Sequence, residues 1–384
     1  MIKVITIIGA RPQIIKAAAV SRAVKNHFSD KINEIIIHTG QHYDENMSQI
    51  FFEEMNIPRP DINLNVGSGS HGVQTAKMIT GIEEILVNEK PHYLILYGDT
   101  NSTLAGAVAA SKLHVPIVHI EAGLRSFNKK MPEEINRIMC DHASTLLFTP
   151  TQTGFSNLIK EGFSTHNKAP FTADNPGIFH CGDVMYDNSL FFEKQAKEKS
   201  TILKKLGLSE NNFFLATVHR NDNTDQPHRL NALFEAFDII SRKSGKTVVL
   251  PLHPRTKKLL PINLKPEVYT RIISNHLIKL IPPVSFFDMI TLESNCNMIF
   301  TDSGGVQKEA YFFKKPVVVM RSETEWKEII DAGCGIVSNA DTGNIVNAFN
   351  RFQNADNLFY PPIFGDGHAS EFILKQIVDN QTDF

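Results

Sequence analysis

The chain has few cysteines, a single tryptophan, no long apolar run and no excess of either charge, and each shortage removes a class of protein. Its four cysteines, Cys140, Cys181, Cys296 and Cys334, are widely spaced and form no CxxC pair. That argues against a disulfide scaffold and fits reduced thiols in a cytoplasmic protein. Lys and Arg number 39 against 41 Asp and Glu, a formal net charge of -2, and no basic run interrupts the chain. Nothing here directs it to nucleic acid or to a membrane surface. No stretch approaches the roughly 20 apolar residues of a membrane span. The apolar start, residues 1–8, is too short for a signal-peptide core and runs into a glycine turn. The histidines and carboxylates show no HExxH or similar spacing, so no metal is expected.

What is present is an alternation. With 384 residues and 42% hydrophobic content, the chain can build two domains, each with its own core. Short β-branched runs at 4–8, 34–38, 93–96, 116–120 and 145–148 are separated by amphipathic segments such as 13–27, 75–88 and 103–113. This is the pattern of a parallel sheet flanked by helices. The Pro/Gly/Asn-rich stretch 168–177 reads as a linker. The pattern then restarts with strands at 213–218, 247–250, 298–301 and 316–320, and helices at 227–244 and 305–313. The expected organisation is α/β: a first α/β domain over 1–172, a second over 173–365, and a terminal helix over 366–384 packing back on the first. Facing sheets would place a ligand in the cleft between domains.

The densest chemistry lies between Tyr97 and Arg137. Asp99 and Glu121 each follow a β-branched run, where a strand would end, and Pro132-Glu133-Glu134-Ile135-Asn136-Arg137 comes next. In an open parallel sheet that edge is where ligands bind. Carboxylates with Arg125 and Arg137 at one rim suit acid–base work on an anion. Asp99 could also be a helix cap, and Glu133 or Glu134 a first-turn acid; a common site explains them together. Gly9-Ala10-Arg11-Pro12-Gln13-Ile14-Ile15-Lys16 follows the first strand and opens a helix, a natural anion site with Arg11 and Lys16 adding charge, or simply a helix start. It is neither GxGxxG nor a P-loop. In Thr301-Asp302-Ser303-Gly304-Gly305-Val306-Gln307-Lys308-Glu309, paired glycines allow close backbone approach, Ser303 can cap the helix, and free N–H groups would point at a phosphate. Glu309, about a turn further on, is placed to accept from sugar hydroxyls. His219 ends a strand and is the candidate imidazole; Gln41-His42 and His253-Pro254-Arg255 are weaker versions of the same placement. Trp326 could stack on a ligand or simply pack.

At these residues the sequence resembles the non-hydrolysing UDP-N-acetylglucosamine 2-epimerase family. The motifs that carry the resemblance run nearly end to end: GARPQIIK, TGQHYDENM, GDTNST, HIEAGLRS, PEEINR, HRND, TDSGGVQKEA, RSETEW and FGDGHASE. The resemblance implies two facing Rossmann-like domains (the GT-B arrangement), a homodimer, and inversion at C2 of a UDP-2-acetamido sugar by elimination and re-addition of UDP, with no redox cofactor. It implies that Asp99, Glu121 and Glu133 are the catalytic carboxylates and that His219 stabilises the departing diphosphate. Arg11, Lys16 and Arg137 would contact phosphate or sugar, Ser303, Gly304 and Gly305 would cradle the diphosphate, and Glu309 would hold the ribose. Phe287 would lie beside the uracil, and Trp326 would sit on the substrate side.

The departures bear on substrate. Where many UDP-N-acetylglucosamine epimerases read TERPE, this chain has Thr324-Glu325-Trp326-Lys327-Glu328, and their HRREN reads His219-Arg220-Asn221-Asp222-Asn223. The basic residue often found after Leu64-Asn65 is absent. The last two changes fall where relatives bind an activating second UDP-sugar. GARPQ and ETEW are similar to the branch acting on UDP-2,3-diacetamido-2,3-dideoxyglucuronate, an intermediate for surface polysaccharide. A hydrolysing 2-epimerase, a GT-B glycosyltransferase and a non-catalytic UDP-sugar sensor are the competing readings. The first would carry Ala-Asp-Tyr where this chain has Pro12-Gln13-Ile14, the second needs fewer acids, and the third needs none.

Overall fold

The structure, a computed structural model, describes residues 1–40, 59–355 and 357–381. Gln41, His42 and most of the TGQHYDENM stretch lie outside the described residues. The chain forms two compact units, Met1–Asn188 with Pro362–Phe384, and Ser189–Pro361. The first carries β1 (Ile2–Ile8), α1 (Arg11–His27), β2 (Ile32–His38), β3 (Ile62–Asn63), α2 (His71–Glu89), β4 (Tyr93–Tyr97) and α3 (Asn101–Lys112). It continues with β5 (Ile117–Ile120), α4 (Pro132–Ala143), β6 (Leu146–Thr149), α5 (Gln152–Lys160) and β7 (Gly177–His180), and α6 (Val184–Lys199) leads into the second unit. That unit carries α7 (Ile202–Leu206), β8 (Phe213–Thr217), α8 (Asn221–Thr224), α9 (Pro227–Ser244), β9 (Thr247–Pro251), α10 (Pro254–Asn263), α11 (Pro266–Ser274) and β10 (Ile278–Ile281). Then follow α12 (Phe286–Asn295), β11 (Met298–Thr301), α13 (Gly304–Phe312), β12 (Val317–Val319), α14 (Lys327–Asp331), β13 (Gly335–Val337) and α15 (Thr342–Gln353). Helix α16 (Ala369–Asp379) returns to the first unit.

Each unit is built on one parallel sheet, ordered β3-β2-β1-β4-β5-β6-β7 in the first and β10-β9-β8-β11-β12-β13 in the second. Strand order reverses beside β1 and beside β8, and the loops leaving those strands and their neighbours β4 and β11 flank the crevice of each sheet. The strands read as continuous apolar runs because helices cover both faces: in β4 every residue is buried, and in β1 all but Lys3. Close packing needs small residues on the covering helix. Helix α3 buries Ala105, Ala107, Ala109 and Ala110, and a Cβ on its Gly106 would stand 2.6 Å from a Leu96 methyl.

The strands read from the sequence are present, and four short ones were not anticipated: β3, β7, β10 and β13. The stretch 168–177 read as a linker ends in β7, which pairs with β6 in the register Leu146↔Gly177 to Thr149↔His180. The sheet therefore claims only the last residue of that stretch, and the first unit runs on to Asn188. The FGDGHASE stretch has a structural account. Gly182 and Gly365, both with positive φ, let two chain segments cross where a Cβ on Gly182 would meet the Phe364 carbonyl at 2.7 Å. The Asp187 carboxylate then accepts from the N–H groups of Ala369 and Ser370, holding the start of α16.

Candidate active site

At the carboxyl edge of the first sheet, sharp turns leave β1, β4 and β5. The turn after β4 has Gly98 at φ 60°, and a Cβ there would lie 3.0 Å from Glu121 Oε2 and 3.3 Å from Lys16 Nζ. Glycine thus brings the backbone against an ion pair formed by Lys16, from α1, and Glu121, from the end of β5. Glu121 itself adopts φ 75°, a left-handed conformation costly for a side chain of this size, and its N–H donates to Phe148 O at 3.1 Å. Asp99 pairs with Arg137 of α4, whose Nη1 also donates to Glu134 at 3.1 Å. Asn136 of the same helix donates to the Asp99 carbonyl at 2.9 Å. Four of the expected residues, Lys16, Glu121, Asp99 and Arg137, therefore form two ion pairs at neighbouring strand ends.

Glu133 and Glu134 divide roles that the sequence could not separate. Glu133 is exposed at the first turn of α4, with no ion-pair partner among the described residues. Glu134 is buried and accepts from the N–H groups of Ser126 at 2.9 Å and Phe127 at 2.8 Å. Burial opposes its charge, but those bonds and Arg137 outweigh it and hold the Glu134 carboxyl below the usual glutamate range. It closes the loop 126–134 onto its own helix. The anion-site reading of Gly9–Gln13 changes: the Gly9 and Ala10 N–H groups donate to Gln13 Oε1 at 2.9 and 3.2 Å, so the helix's own side chain satisfies them. Gln13 Nε2 donates in turn to Tyr97 O at 2.9 Å and Thr103 Oγ1 at 3.0 Å, pinning β1 to β4 at the switch point. Arg11 is exposed.

Beneath the carboxylates lies a buried network that was not singled out from the sequence. His119 Nδ1 is 2.6 Å from Asp141 Oδ1 and its Nε2 is 2.8 Å from Gly98 O. The other Asp141 oxygen accepts from Gly123 N at 3.1 Å and Arg125 Nη1 at 2.7 Å, and Arg125 also pairs with Glu161 at 2.6 Å. Burial alone would discharge the imidazole; Cys140 and Asp141 beside it reverse that and hold it well above its usual value. Arg125, read as a rim cation, is committed to this network and only 1% exposed.

In the second unit, Asp302 organises the edge. Fully buried at the end of β11, it accepts from the backbone N–H groups of His219 and Arg220 at 3.1 and 3.0 Å, from Asn223 Nδ2 at 3.1 Å, and pairs with His219 Nδ1 at 3.0 Å. Burial opposes its ionisation, yet the bond and charge of His219 and the bonds from Arg220 and Asn223 hold its carboxyl below the usual aspartate range. Asp302 thus orients His219, leaving Nε2 for a ligand. Its place between a strand and a capping serine was the available signal. Ser303 caps α13 by accepting from Val306 N at 3.4 Å.

Gly304 is tight: a Cβ would meet Glu325 Oε1 at 2.4 Å. Gly305 is exposed, and a Cβ there would stand 3.8 Å from Ser303 Oγ. Trp326 is 8% exposed, stacks under Lys308 Nζ at 4.5 Å and donates its indole N–H to Gly304 O at 3.0 Å, so it supports the glycine turn. Phe287 is also buried, edge-on to Phe192 and Phe286, with Lys199 Nζ 4.7 Å from its ring. Glu309 hydrogen-bonds the fully buried Glu293, whose carboxyl burial and Glu309 push well above the glutamate range.

The description UDP-N-acetylglucosamine 2-epimerase belongs to the family that matches residues 24–378. A UDP-N-acetylglucosamine 2-epimerase homolog of Methanococcus maripaludis is 48% identical, over 97% of this chain and 98% of its own. The UDP-2,3-diacetamido-2,3-dideoxy-D-glucuronate 2-epimerase of Pseudomonas aeruginosa is 46% identical, over 98% and 99%. Among solved structures, the UDP-GlcNAc 2-epimerase of Methanocaldococcus jannaschii in complex with UDP-GlcNAc and UDP is 39% identical, covers 98% of this chain and 100% of its own, and has a TM-score of 0.78.

Proposed function

This chain belongs to the UDP-N-acetylglucosamine 2-epimerase family, and from that premise we infer that it inverts C2 of a UDP-2-acetamido sugar without releasing the free sugar. The observation that carries the reading is the pair of ion pairs, Lys16–Glu121 and Asp99–Arg137, on adjoining strand ends with the exposed Glu133 beside them in sequence. A C2–H with no adjacent carbonyl is not acidic, so the family's chemistry couples its removal to loss of a good leaving group. A carboxylate takes the C2 proton, the C–H electron pair becomes the C1=C2 bond, and the C1–O bond breaks toward the β-phosphate of UDP. Protonation of C2 on the other face and re-addition of UDP at C1 complete the inversion. No water is consumed and no oxidation state changes overall. Two or more positioned carboxylates serve the two proton transfers, and cations limit the charge developing on the phosphate.

In this assignment Asp99, Glu121 and Glu133 exchange the protons, while Lys16, Arg137 and Arg11 meet the anionic parts of the substrate. His219, held by Asp302, supports the leaving diphosphate; Ser303, Gly304 and Gly305 receive it; Glu309 takes the ribose hydroxyls. Trp326 and Phe287 act from behind, as packing that shapes the site. The favoured substrate is UDP-2,3-diacetamido-2,3-dideoxyglucuronate, on the ETEW and GARPQ stretches and the 46% identity to the Pseudomonas enzyme of that name. UDP-N-acetylglucosamine is the second reading, favoured by the Methanocaldococcus structure. We place the chain in the cytoplasm as a homodimer, with its four cysteines reduced.

The test is proton NMR in D₂O with each UDP-sugar in turn. Deuterium at C2 of an intact UDP-sugar epimer supports the reading, and the sugar accepted names the substrate. Release of free sugar and UDP would move the protein to the hydrolysing class. No exchange with either sugar, in protein shown to bind UDP, would revive the transferase or sensor.

A further inference from the structure

The His119–Asp141–Arg125 network has no place in the proton transfers just described, yet it touches the backbone of both turns that carry them. His119 sits on β5, two residues before Glu121, and is fully buried. One ring nitrogen faces the Gly98 carbonyl, which can only accept. The other faces Asp141, whose second oxygen already takes N–H donors from Gly123 and Arg125. Neither partner has a proton to give, so both bonds exist only if both ring nitrogens carry hydrogen. His119 and Arg125 balance Asp141 and Glu161. Two further titratable groups of α4 border the network, the Cys140 thiol beside the ring and His142, 3.4 Å from Glu161.

We propose that His119 is a permanent imidazolium that acts as a positioning residue, clamping the Gly98–Asp99 turn after β4 to the Glu121–Gly123 turn after β5 so that their carboxylates stay in register. One arm of the clamp runs from Nε2 to Gly98 O, adjacent to Asp99, whose own carbonyl is held by Asn136. The other arm runs through Asp141 to Gly123 N, two residues past Glu121. The clamp also explains how Glu121 is kept at φ 75°: both flanking segments are tied down, and its own N–H is bonded to Phe148. A charged donor gives a stronger bond to the carbonyl than a neutral one. Because the cation does not discharge near neutral pH, the spacing of Asp99 and Glu121 is independent of pH where the enzyme works.

The inference rests on reading Asp99 and Glu121 as the acid–base groups, and its two tests separate it from that reading. The first is ¹⁵N NMR of the histidine rings in the full chain, with His119 identified by the signal lost in His119→Gln. Two protonated ring nitrogens from about pH 6 to about pH 9 are expected; a neutral ring near pH 7.5 overturns the clamp whether or not any UDP-sugar is turned over. Asp141→Asn should let the same ring discharge within that range; an unchanged ring overturns the assignment of Asp141 as its anchor. The second is kinetic. Misplacement on the scale of an ångström costs about a hundredfold in rate, so His119→Gln should lower kcat for C2 exchange about a hundredfold, with KM and UDP affinity within about threefold. A kcat within about twofold of the parent overturns the positioning role. Where His119→Gln fails to fold, His119 is identified as the ring whose signal changes in Asp141→Asn. The kcat and KM of Asp141→Asn then take the place of those of His119→Gln, and an unchanged kcat there overturns the positioning role.

Discussion

Replacing Glu134 by Gln tests how the loop over the first site is held. The wild-type carboxylate receives two backbone N–H bonds, from Ser126 and Phe127, and one from Arg137, in a site almost closed to water. Bonds to a charged group contribute about 1.5–3 kcal/mol each, and a buried donor left unpaired costs about 1–3 kcal/mol. Gln keeps one carbonyl oxygen and turns an NH₂ toward the second backbone donor, so one bond is lost and the others weaken. The expected destabilisation is about 2–4 kcal/mol near pH 7. In a unit of this size that lowers Tm by about 4–16 °C. The pH dependence follows from the direction of the shift. A carboxyl held below its unfolded value of about 4.3 adds stability above that pH and loses it as pH falls through the lower folded value. The gap between parent and E134Q should therefore be widest near neutrality and close progressively below about pH 4.3. Calorimetry at several pH values measures it, and hydrogen exchange at Ser126 and Phe127 locates it. A gap that is equally wide at about pH 3 and pH 7, or smaller than about 2 °C throughout, would refute the reasoning.

Three further outcomes can be checked. Gly98→Ala forces a Cβ into φ 60° beside the Lys16–Glu121 pair, a strain of about 1–2 kcal/mol; C2 exchange should fall at least about tenfold while UDP affinity is kept, and unchanged exchange would mean the pair tolerates displacement. Trp326→Phe removes the indole bond to Gly304 O, about 1 kcal/mol. Calorimetric titration should show UDP binding weakened about fivefold, and unaltered binding would separate Trp326 from the glycine turn. Glu293→Gln keeps a donor for Glu309 but cannot ionise. Glu293 has its folded value raised, so it costs stability above the unfolded value of about 4.3, increasingly up to the folded one. The variant should gain in Tm near pH 8 and gain nothing near pH 4; a gain independent of pH would contradict a protonated Glu293.

Much of the architecture was legible along the chain because a parallel sheet covered on both faces demands apolar runs, and its helices demand a 3.6-residue period. Runs such as 93–96 and 116–120 could be read directly, and so could the carboxylates that follow them, Asp99 and Glu121. The segments missed were β3, β7, β10 and β13, each of two to four residues, too short to show a period and formed because a neighbouring edge pairs with them. That pairing drew Gly177, the end of the stretch 168–177, into a sheet.

Local sequence determined the two α/β units, the strand-end positions of Asp99, Glu121, His219 and Ser303, and the family resemblance. Tertiary structure decided what each does with its neighbours. It made Glu134 the buried anchor and left Glu133 exposed, though they are adjacent in the chain. It used Gln13 to satisfy the N–H groups of Gly9 and Ala10, and it packed Trp326 and Phe287 behind their turns. It joined His119 to Asp141 and Gly98, 22 and 21 residues away in sequence. The reason is physical: a hydrogen bond or ion pair depends on which groups lose water together, and only packing of distant segments sets that.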